Sequence, residues 1–366
     1  MARPLRAEID LDALRHNYRL AASLAPGSRS MAVVKADAYG HGAVACAGAL
    51  AALAPAFAVA SIEEAVTLRE GGIDQPILLL EGIFEAHELE TVEALGLWQV
   101  IHSDWQLEAL LAYEPRQPLT VWLKLDSGMH RLGFPPAAFI ARWERLRQAR
   151  DKTCDLHLIS HFASADLDDA TAFNAQHEVV EHVRQQLGAP ICVANSPATL
   201  VKPQAHGAWN RPGIMLYGSN PLEGDLPAGL TLQPVMTLRS RLIAVQTLDA
   251  GQPVGYGGRW RTPRRSRIGV VAAGYGDGYD RHAMDGTPVL VDGQRCAITG
   301  RVSMDMLTVD ISHVPEADVG SEVVLWGKGL AVDEVARHCD TIGYTLLTGV
   351  LPRVPRVYSR SPKSDG

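Results

Sequence analysis

Short apolar runs alternate with helical patterns along the first part of the chain, and this alternation limits the fold more than any other feature. The runs are rich in β-branched or aromatic residues, whereas the segments between them carry charges on one face and apolar residues at helical spacing. Such a period predicts parallel strands joined by helices, and eight repeats predict a (β/α)8 barrel. The predicted strands are 31–34, 56–60, 76–80, 97–101, 119–125, 156–159, 191–193 and 213–217. The clearest predicted helices are 62–70, 104–112, 135–150 and 168–187.

The pattern changes after residues 221–234, which are rich in Pro, Gly and Leu and are interpreted as a linker. Alternation typical of strands follows, with Asp292-Gly293 as a hairpin turn signal. The predicted elements are strands 235–248, 267–273, 287–297, 306–311 and 322–326, a helix 332–339 and a basic tail 353–360. The sequence therefore predicts an α/β chain with an N-terminal (β/α)8 TIM barrel in residues 1–230 and a C-terminal mostly-β domain in 231–366. This prediction also allows the first strand of the chain to pack on the C-terminal domain.

Composition argues against several function classes. The formal net charge is -7, so the chain has no general electrostatic attraction for nucleic acid or an anionic membrane. The 5 cysteines lack C-x-x-C spacing, and their odd number argues against a disulfide framework, which favours a reducing, cytoplasmic location. No metal site and no export signal are predicted. Residues 43–60 lack charge, but Pro55 divides them into an Ala-rich helix and a strand, which disfavours a membrane span.

Polar and charged side chains follow several predicted barrel strands. Active sites of (β/α)8 barrels are built at the C-terminal strand ends, so these side chains are expected to share one site. They are Lys35, Lys124 with Asp126, His161, Asn195 with Ser196, and the segment 211–214.

Lys35 closes an apolar run and is followed by a segment rich in turn-forming residues. A buried amine loses hydration and its pKa falls, which prepares it for Schiff-base formation and proton transfer. Tyr256, between Gly255 and Gly257, offers a second base, and two bases predict a proton moved between two faces of a substrate. A solvated lysine at a strand end is the alternative interpretation of Lys35 alone.

The motif MAVVKADAYGHG around Lys35 resembles the pyridoxal 5′-phosphate (PLP) motif of bacterial alanine racemases, enzymes of fold type III. Further motifs in the family's order extend the resemblance along nearly the whole chain. They are LKLDSGMHRLG, ISHFASAD, ANSPA, NRPGIMLYG, VGYGGRW, GYGDGYDR, GRVSMDM and RVPR. The resemblance implies interconversion of L- and D-alanine by two-base proton transfer, with PLP as cofactor and alanine as substrate.

The resemblance also assigns the cofactor residues. Lys35 holds PLP as a Schiff base, Tyr39 and Ser196 contact the phosphate with the backbone of Gly213 and Ile214, and Asn195 orients that loop. Without the resemblance, Tyr39 is equally consistent with a packed aromatic residue and Ser196 with an ordinary turn.

Arg211 resembles the arginine that faces the pyridine nitrogen of PLP. A guanidinium has no acceptor and keeps its proton, so it leaves that nitrogen unprotonated and favours reprotonation at Cα over transamination. His161 resembles the residue that hydrogen-bonds toward Arg211 and Tyr256. The alternative is a core histidine whose ring nitrogens have hydrogen-bond partners and which has no role in the site.

A homodimer with active sites shared across its interface is also implied. Tyr256 is similar to the second catalytic base, supplied by the partner subunit, and Met304 to a partner residue whose backbone N–H contacts the substrate carboxylate. Arg131 resembles the arginine that binds that carboxylate, and Lys124 a lysine that is often carbamylated beside it. Tyr275, at the entrance, and Asp305 are assigned supporting roles.

One position departs from the family pattern, because Pro352 precedes RVPR where a phosphate-contacting tyrosine is expected. Two other functions are considered: a barrel that carries PLP without turnover, and a decarboxylase with the same two domains. The C-terminal motifs argue against the first, and the lack of a glycine-rich phosphate loop argues against the second. The sequence does not choose between D-alanine supply for peptidoglycan and alanine catabolism, nor does it settle activity on serine.

Overall fold

A closed parallel sheet forms the N-terminal part of the molecule, which is a computed structural model that describes residues 3–149 and 151–359. The chain begins with β1 (Arg6–Asp10), which lies outside this sheet. The sheet consists of β2 (Arg29–Ser30), β3 (Ala32–Val33), β4 (Phe57–Val59), β5 (Ile77–Leu79), β6 (Trp98–Ile101), β7 (Leu119–Lys124), β8 (Thr153–Ile159), β9 (Ile191–Cys192) and β10 (Trp209–Asn210).

The two short segments β2 and β3 close the ring together. β2 pairs with β10 and β3 with β4, and the Met31 N–H between them donates to the Asn210 carbonyl at 2.8 Å. They therefore act as one extended strand, and the sheet has eight strand positions in the part of the chain that the structure describes. The predicted (β/α)8 barrel is confirmed.

Helices follow the barrel strands as the periodicity predicts. The helices are α1 (Leu11–Leu24), α2 (Lys35–Gly40), α3 (Ala43–Leu50), α4 (Ile62–Glu70), α5 (Glu88–Ala94), α6 (Asp104–Ala112), α7 (Pro136–Gln148), α8 (Thr171–Leu187) and α9 (Ser196–Val201). α4 and α6 have the predicted bounds, whereas α7 and α8 begin later than predicted; residue 150, the predicted end of α7, lies outside the described residues. No helix in the described ranges is long and apolar enough to cross a membrane.

The predicted eighth strand, 213–217, is wrong. Ile214–Tyr217 is a 3₁₀ turn in which the Leu216 N–H donates to the Gly213 carbonyl at 2.8 Å. The eighth strand is β10, just before it. A short buried apolar run fits either a strand or a tight helical turn, so periodicity cannot separate the two.

A mixed, largely antiparallel sheet forms the C-terminal part and confirms the predicted mostly-β domain. Its strand order is β14-β17-β16-β15-β18-β11-β1-β19, and β12 and β13 form a separate hairpin. The elements are β11 (Met236–Leu248), β12 (Pro253–Val254), β13 (Trp260–Arg261), β14 (Ser266–Val271), β15 (Pro288–Val291), β16 (Gln294–Ile298), β17 (Leu307–Asp310), β18 (Glu322–Trp326) and β19 (Arg356–Ser359), with α10 (Val332–His338) and α11 (Gly343–Thr348).

Local turn chemistry determines one hairpin, and the chain end adds a strand. Asp292 and Gly293 have φ values of 46° and 78°, as a two-residue hairpin turn between β15 and β16 requires. The predicted tail 353–360 contains β19 in its described part, and Arg360 lies outside the described residues.

Strand β1 ties the start of the chain to the second sheet. It pairs antiparallel with β11 and parallel with β19, and its Ala7 and Ile9 side chains are buried. Helix α1 follows directly, and the Asp10 side chain caps it by accepting from the Asp12 and Ala13 N–H groups. One short segment thus connects the barrel to the sheet that carries the C-terminal motifs.

Replacing Ile9 with alanine tests this connection. Because Ile9 is fully buried, Ile9→Ala is expected to lower the free energy of unfolding by about 2–5 kcal/mol through lost burial and a residual cavity. Thermal and denaturant unfolding would measure it. Val357→Ala, at an exposed position on the neighbouring β19, is the control and should change stability by no more than about 0.5 kcal/mol. Equal effects of the two substitutions would contradict the packing role of Ile9.

Candidate active site

A cavity of about 520 Å³ lies where the barrel strands end. Lys124 and Ile159, the last residues of β7 and β8, form part of its wall. A larger hollow of about 750 Å³ lies where β6 and β7 begin, at the opposite end of the barrel from which active sites are built. The first cavity is lined by ten of the predicted site residues: Lys35, Tyr39, Lys124, Arg131, His161, Asn195, Ser196, Arg211, Gly213 and Ile214.

Lys35 stands between β3 and an unusual turn. The four following residues, 36–39, all have φ between 51° and 53°, the left-handed helical conformation. Lys35 and Tyr39 therefore line the same cavity one turn apart. Burial lowers the pKa of Lys35 below its ordinary value, the charges of Arg131 and Arg211 act in the same direction, and Glu81 opposes them. The lower pKa increases the fraction of neutral, nucleophilic amine.

Arg211 is buried and held by its two terminal nitrogens. Nη2 donates to the Ser160 carbonyl at 2.6 Å, and Nη1 donates to the Cys192 carbonyl and, at 3.0 Å, to Cys192 Sγ. No hydrogen bond within the described residues uses Nε. The Nε–H is thus the donor that remains for a ligand in the cavity.

His161 is neutral in this environment. Burial lowers the pKa of His161 well below its ordinary value, and the positive charges of Arg211 and Lys124 lower it further. Arg211 Nη2 lies 3.4 Å from His161 Nδ1. Because a guanidinium only donates, Nδ1 must accept, which places the proton of the neutral ring on Nε2.

A small cradle beside Tyr39 is formed by Asn195, Ser196 and Gly213. The Ser196 hydroxyl accepts from the Gly213 N–H at 2.8 Å, and Asn195 caps α9 by accepting from the Ala198 N–H at 3.2 Å. A Cβ at Gly213 would lie 2.5 Å from the Tyr39 hydroxyl oxygen, so a side chain there would displace the phenol. Only glycine leaves room for the phenol and a ligand at this point.

Lys124 and Arg131 add positive charge on another wall. Burial lowers the pKa of Lys124 to about 7, and repulsion from Arg211, Arg131 and Lys35 contributes. A substantial fraction of this amine is therefore neutral near neutral pH.

Four predicted site residues do not line this cavity. Tyr256 lies in the β12–β13 hairpin with 71% of its surface exposed, and Met304 is 54% exposed. Tyr275 is also exposed, in a loop of the C-terminal domain, and Asp305 accepts from Arg353 Nη2 at 2.5 Å. Within the described residues, none of these four is among those that line the cavity of the same chain.

Two cavity residues with a carboxylate or a phenol were not predicted as site residues from the sequence. Glu81 directly follows the run 76–80, so the strand-end rule that found Lys35 could have found it. Tyr344, in α11, reaches the cavity with its ring centroid 6.0 Å from that of Tyr39. Tyr344 therefore adds a second phenol near Tyr39. Pro352, which stands where the family pattern has a tyrosine, does not line the cavity. No local pattern in the sequence indicates this packing of α11 on the barrel.

Comparisons with known proteins agree with the resemblance found in the sequence. The family models for the alanine racemase N-terminal and C-terminal domains match residues 9–221 and 235–358. An alanine racemase of Chromohalobacter salexigens is 68% identical over 98% of both chains, and a catabolic alanine racemase of Pseudomonas aeruginosa is 55% identical over 98% of this chain and 99% of its own. The crystal structure of the biosynthetic alanine racemase from Pseudomonas aeruginosa superposes with a TM-score of 0.95 at 52% identity, covering 98% of this chain and 100% of its own. The chain therefore belongs to the alanine racemase family.

Proposed function

We propose that this chain interconverts L-alanine and D-alanine with bound PLP, using Lys35 and Tyr256 as the two bases. The observation that supports this most strongly is that a lysine with a lowered pKa, a buried arginine and a glycine-lined cradle share one cavity at the C-terminal strand ends. We also propose that the enzyme is cytoplasmic, that residues 1–230 form the cofactor domain and that residues 231–366 form a second domain.

The cavity residues fit PLP. Lys35 would hold the cofactor covalently, while Ser196, Tyr39 and the backbone at Gly213 and Ile214 would hold its phosphate, with Asn195 fixing the helix start. Tyr344, whose ring lies near that of Tyr39, would assist it. When bound, PLP withdraws electrons from Cα of an attached amino acid and makes the Cα proton acidic.

Arg211 would face the pyridine nitrogen through its unused Nε–H. Its other donors are fixed by Ser160 and Cys192, so the guanidinium has little freedom to move. Because it stays protonated and cannot accept, it keeps the ring nitrogen without a proton. His161 holds one side of the guanidinium and remains neutral, which avoids another positive charge in the cavity.

The two bases act from opposite subunits in this proposal. Lys35 would exchange a proton with one face of Cα, and Tyr256 of the partner subunit with the other, so removal by one and return by the other inverts the centre. The exposure of Tyr256 and Met304 in a single chain supports a homodimer in which these groups complete the partner's cavity. Arg131 and the Met304 backbone N–H would bind the alanine carboxylate, with Tyr275 and Asp305 as supporting residues.

Isotope exchange tests the proposed reaction. Protein incubated with PLP and L-alanine in deuterated water should form D-alanine with deuterium at Cα, as chiral chromatography and mass spectrometry would show. Lys35→Ala should abolish turnover, and Tyr256→Phe should keep PLP binding but lower kcat by roughly 100-fold or more because one base is missing. Tyr113→Phe, which removes a phenol hydroxyl bonded to Glu93 in the distant hollow, is the control and should remain active.

Two results would contradict the proposed reaction. Release of CO2 without D-alanine would indicate a decarboxylase. Stable PLP binding without deuterium exchange into alanine would indicate a protein that carries the cofactor without turnover.

Mixing two inactive variants tests the shared site. Lys35→Ala chains retain Tyr256, and Tyr256→Phe chains retain Lys35, so each mixed dimer should contain one intact site. After dissociation and random reassociation, activity should recover to about a quarter of wild type, because half of the dimers are mixed and half of their sites are intact. Gel filtration would confirm the dimer. Activity that stays absent in verified mixed dimers would contradict sharing.

Lys124 is expected to carry a carbamate beside Arg131. Its neutral amine can form a C–N bond to CO2 with release of one proton, and the resulting anion would offset the nearby cations. With the pKa of Lys124 at about 7, labelling by ¹³C-bicarbonate should be strong at pH 8 and weaken as the amine protonates below pH 7. A ¹³C carbamate NMR signal would report it. Lys124→Met should lose the signal. The control is Lys152→Met, at a lysine that is ion-paired with Glu114, and it should keep the signal. Wild-type protein without a signal at pH 8 would disprove the modification.

A further inference from the structure

The turn after Lys35 is conformationally unfavourable for the residues that form it. Ala36, Asp37, Ala38 and Tyr39 are four consecutive non-glycine residues in the left-handed helical region. In this conformation Cβ crowds the following carbonyl oxygen, so L-residues normally visit it singly. Such a segment persists only where surrounding contacts hold it, and such conformations cluster at functional sites.

The turn determines where two cavity residues lie. If β3 continued as an extended strand, Lys35 and Tyr39 would be about 13 Å apart along the chain, at roughly 3.3 Å per residue. The left-handed turn instead returns the chain, and both side chains line the same cavity. The relative position of the amine and the phenol therefore depends on this backbone conformation.

Some contacts that hold the turn come from its own segment. The buried His41 Nδ1 lies 2.9 Å from both the Ala38 and the Tyr39 carbonyl oxygens, so it carries the proton and donates to both. Asp37 Oδ1 accepts from the Ala43 N–H at 2.7 Å. These contacts shape the turn, but they do not fix it relative to the next barrel strand.

Glu64, on α4, supplies that connection. Its Oε1 accepts from the Ala36 N–H at 2.6 Å, and its Oε2 accepts from the Ala60 N–H, just after β4, at 2.7 Å. One carboxylate thus joins the first residue of the turn to the end of the adjacent strand. Hydrogen bonds to an ionised acceptor are shorter and stronger than neutral ones, which suits a contact that opposes backbone strain.

We propose that Glu64 is a positioning residue, which fixes the left-handed turn against β4 and so places Lys35 and Tyr39 for the cofactor. It touches neither substrate nor cofactor in this proposal. The inference rests on the proposed function, because it concerns the same PLP site.

Glu64→Gln tests the role with little change in shape. Glutamine keeps one acceptor oxygen but places an NH2 group against one of the two N–H donors, so the bridge is lost on one side. Apo-protein titrated with PLP should bind it at least about tenfold more weakly than wild type, with a matching fall in kcat/KM for alanine. Glu70→Gln, the same charge change at an exposed position on the same helix, should bind PLP like wild type. Circular dichroism and thermal unfolding would show that both variants are folded.

Rescue distinguishes positioning of the backbone from a general loss of stability. Ala36 is exposed and glycine adopts positive φ freely, so Ala36→Gly removes the conformational bias at the first of the four turn residues without loss of packing. In the Glu64→Gln background it should recover a measurable part of the lost PLP affinity. Unchanged PLP affinity in folded Glu64→Gln protein, or no recovery in the double variant, would overturn the inference. Wild-type protein that fails to bind PLP would instead overturn the proposed function, and this inference with it.

Discussion

Concentrated positive charge in one cavity at the strand ends is the constraint on which the site's chemistry depends. Lys35, Lys124, Arg131 and Arg211 all line it, and Glu81 is the carboxylate among its lining residues. Arginine keeps its proton under these conditions. Burial and repulsion between the cations therefore lower the pKa values of the two lysines and of His161 instead. The positive charges that add to the effect of burial on the pKa of Lys35 also favour an anionic ligand. A phosphate-bearing cofactor satisfies both requirements.

The connection between the two parts of the chain runs in part through its first strand. β1 belongs to the second sheet although it precedes the barrel, so the start of the chain links the C-terminal sheet to the barrel. Tyr256 nevertheless lies exposed in its own small hairpin rather than over the cavity. This exposure is consistent with the proposal that Tyr256 acts in the site of a neighbouring subunit.

Local patterns predicted the elements of this fold better than its closure and its strained parts. α4 and α6 were predictable because charges and apolar residues alternate at helical spacing, and β18 because an apolar run is bounded by turn signals. The 3₁₀ turn at Ile214–Tyr217 was mistaken for a strand because a buried apolar run suits both. The left-handed conformation of residues 36–39 was not predictable, since none of them is glycine and one of the contacts that hold it comes from Glu64, distant in sequence. Glu81 could have been found by the rule that found Lys35, whereas Tyr344 depends on how α11 packs.

The loops that carry Met304 and Tyr275 are organised within their own chain before any partner is present. Asp277 is buried and accepts from Arg3 Nη2 at 2.7 Å, from Arg353 Nε at 2.6 Å and from the Gly274 N–H at 2.9 Å. Burial alone would raise the pKa of Asp277, but these hydrogen bonds lower it, so the carboxylate stays ionised. The Gly276 N–H then donates to the Met304 carbonyl at 2.7 Å, which joins the two loops. Residues from the two ends of the chain thus fix both loops, and a partner's cavity would receive a preformed surface at little cost in conformational entropy.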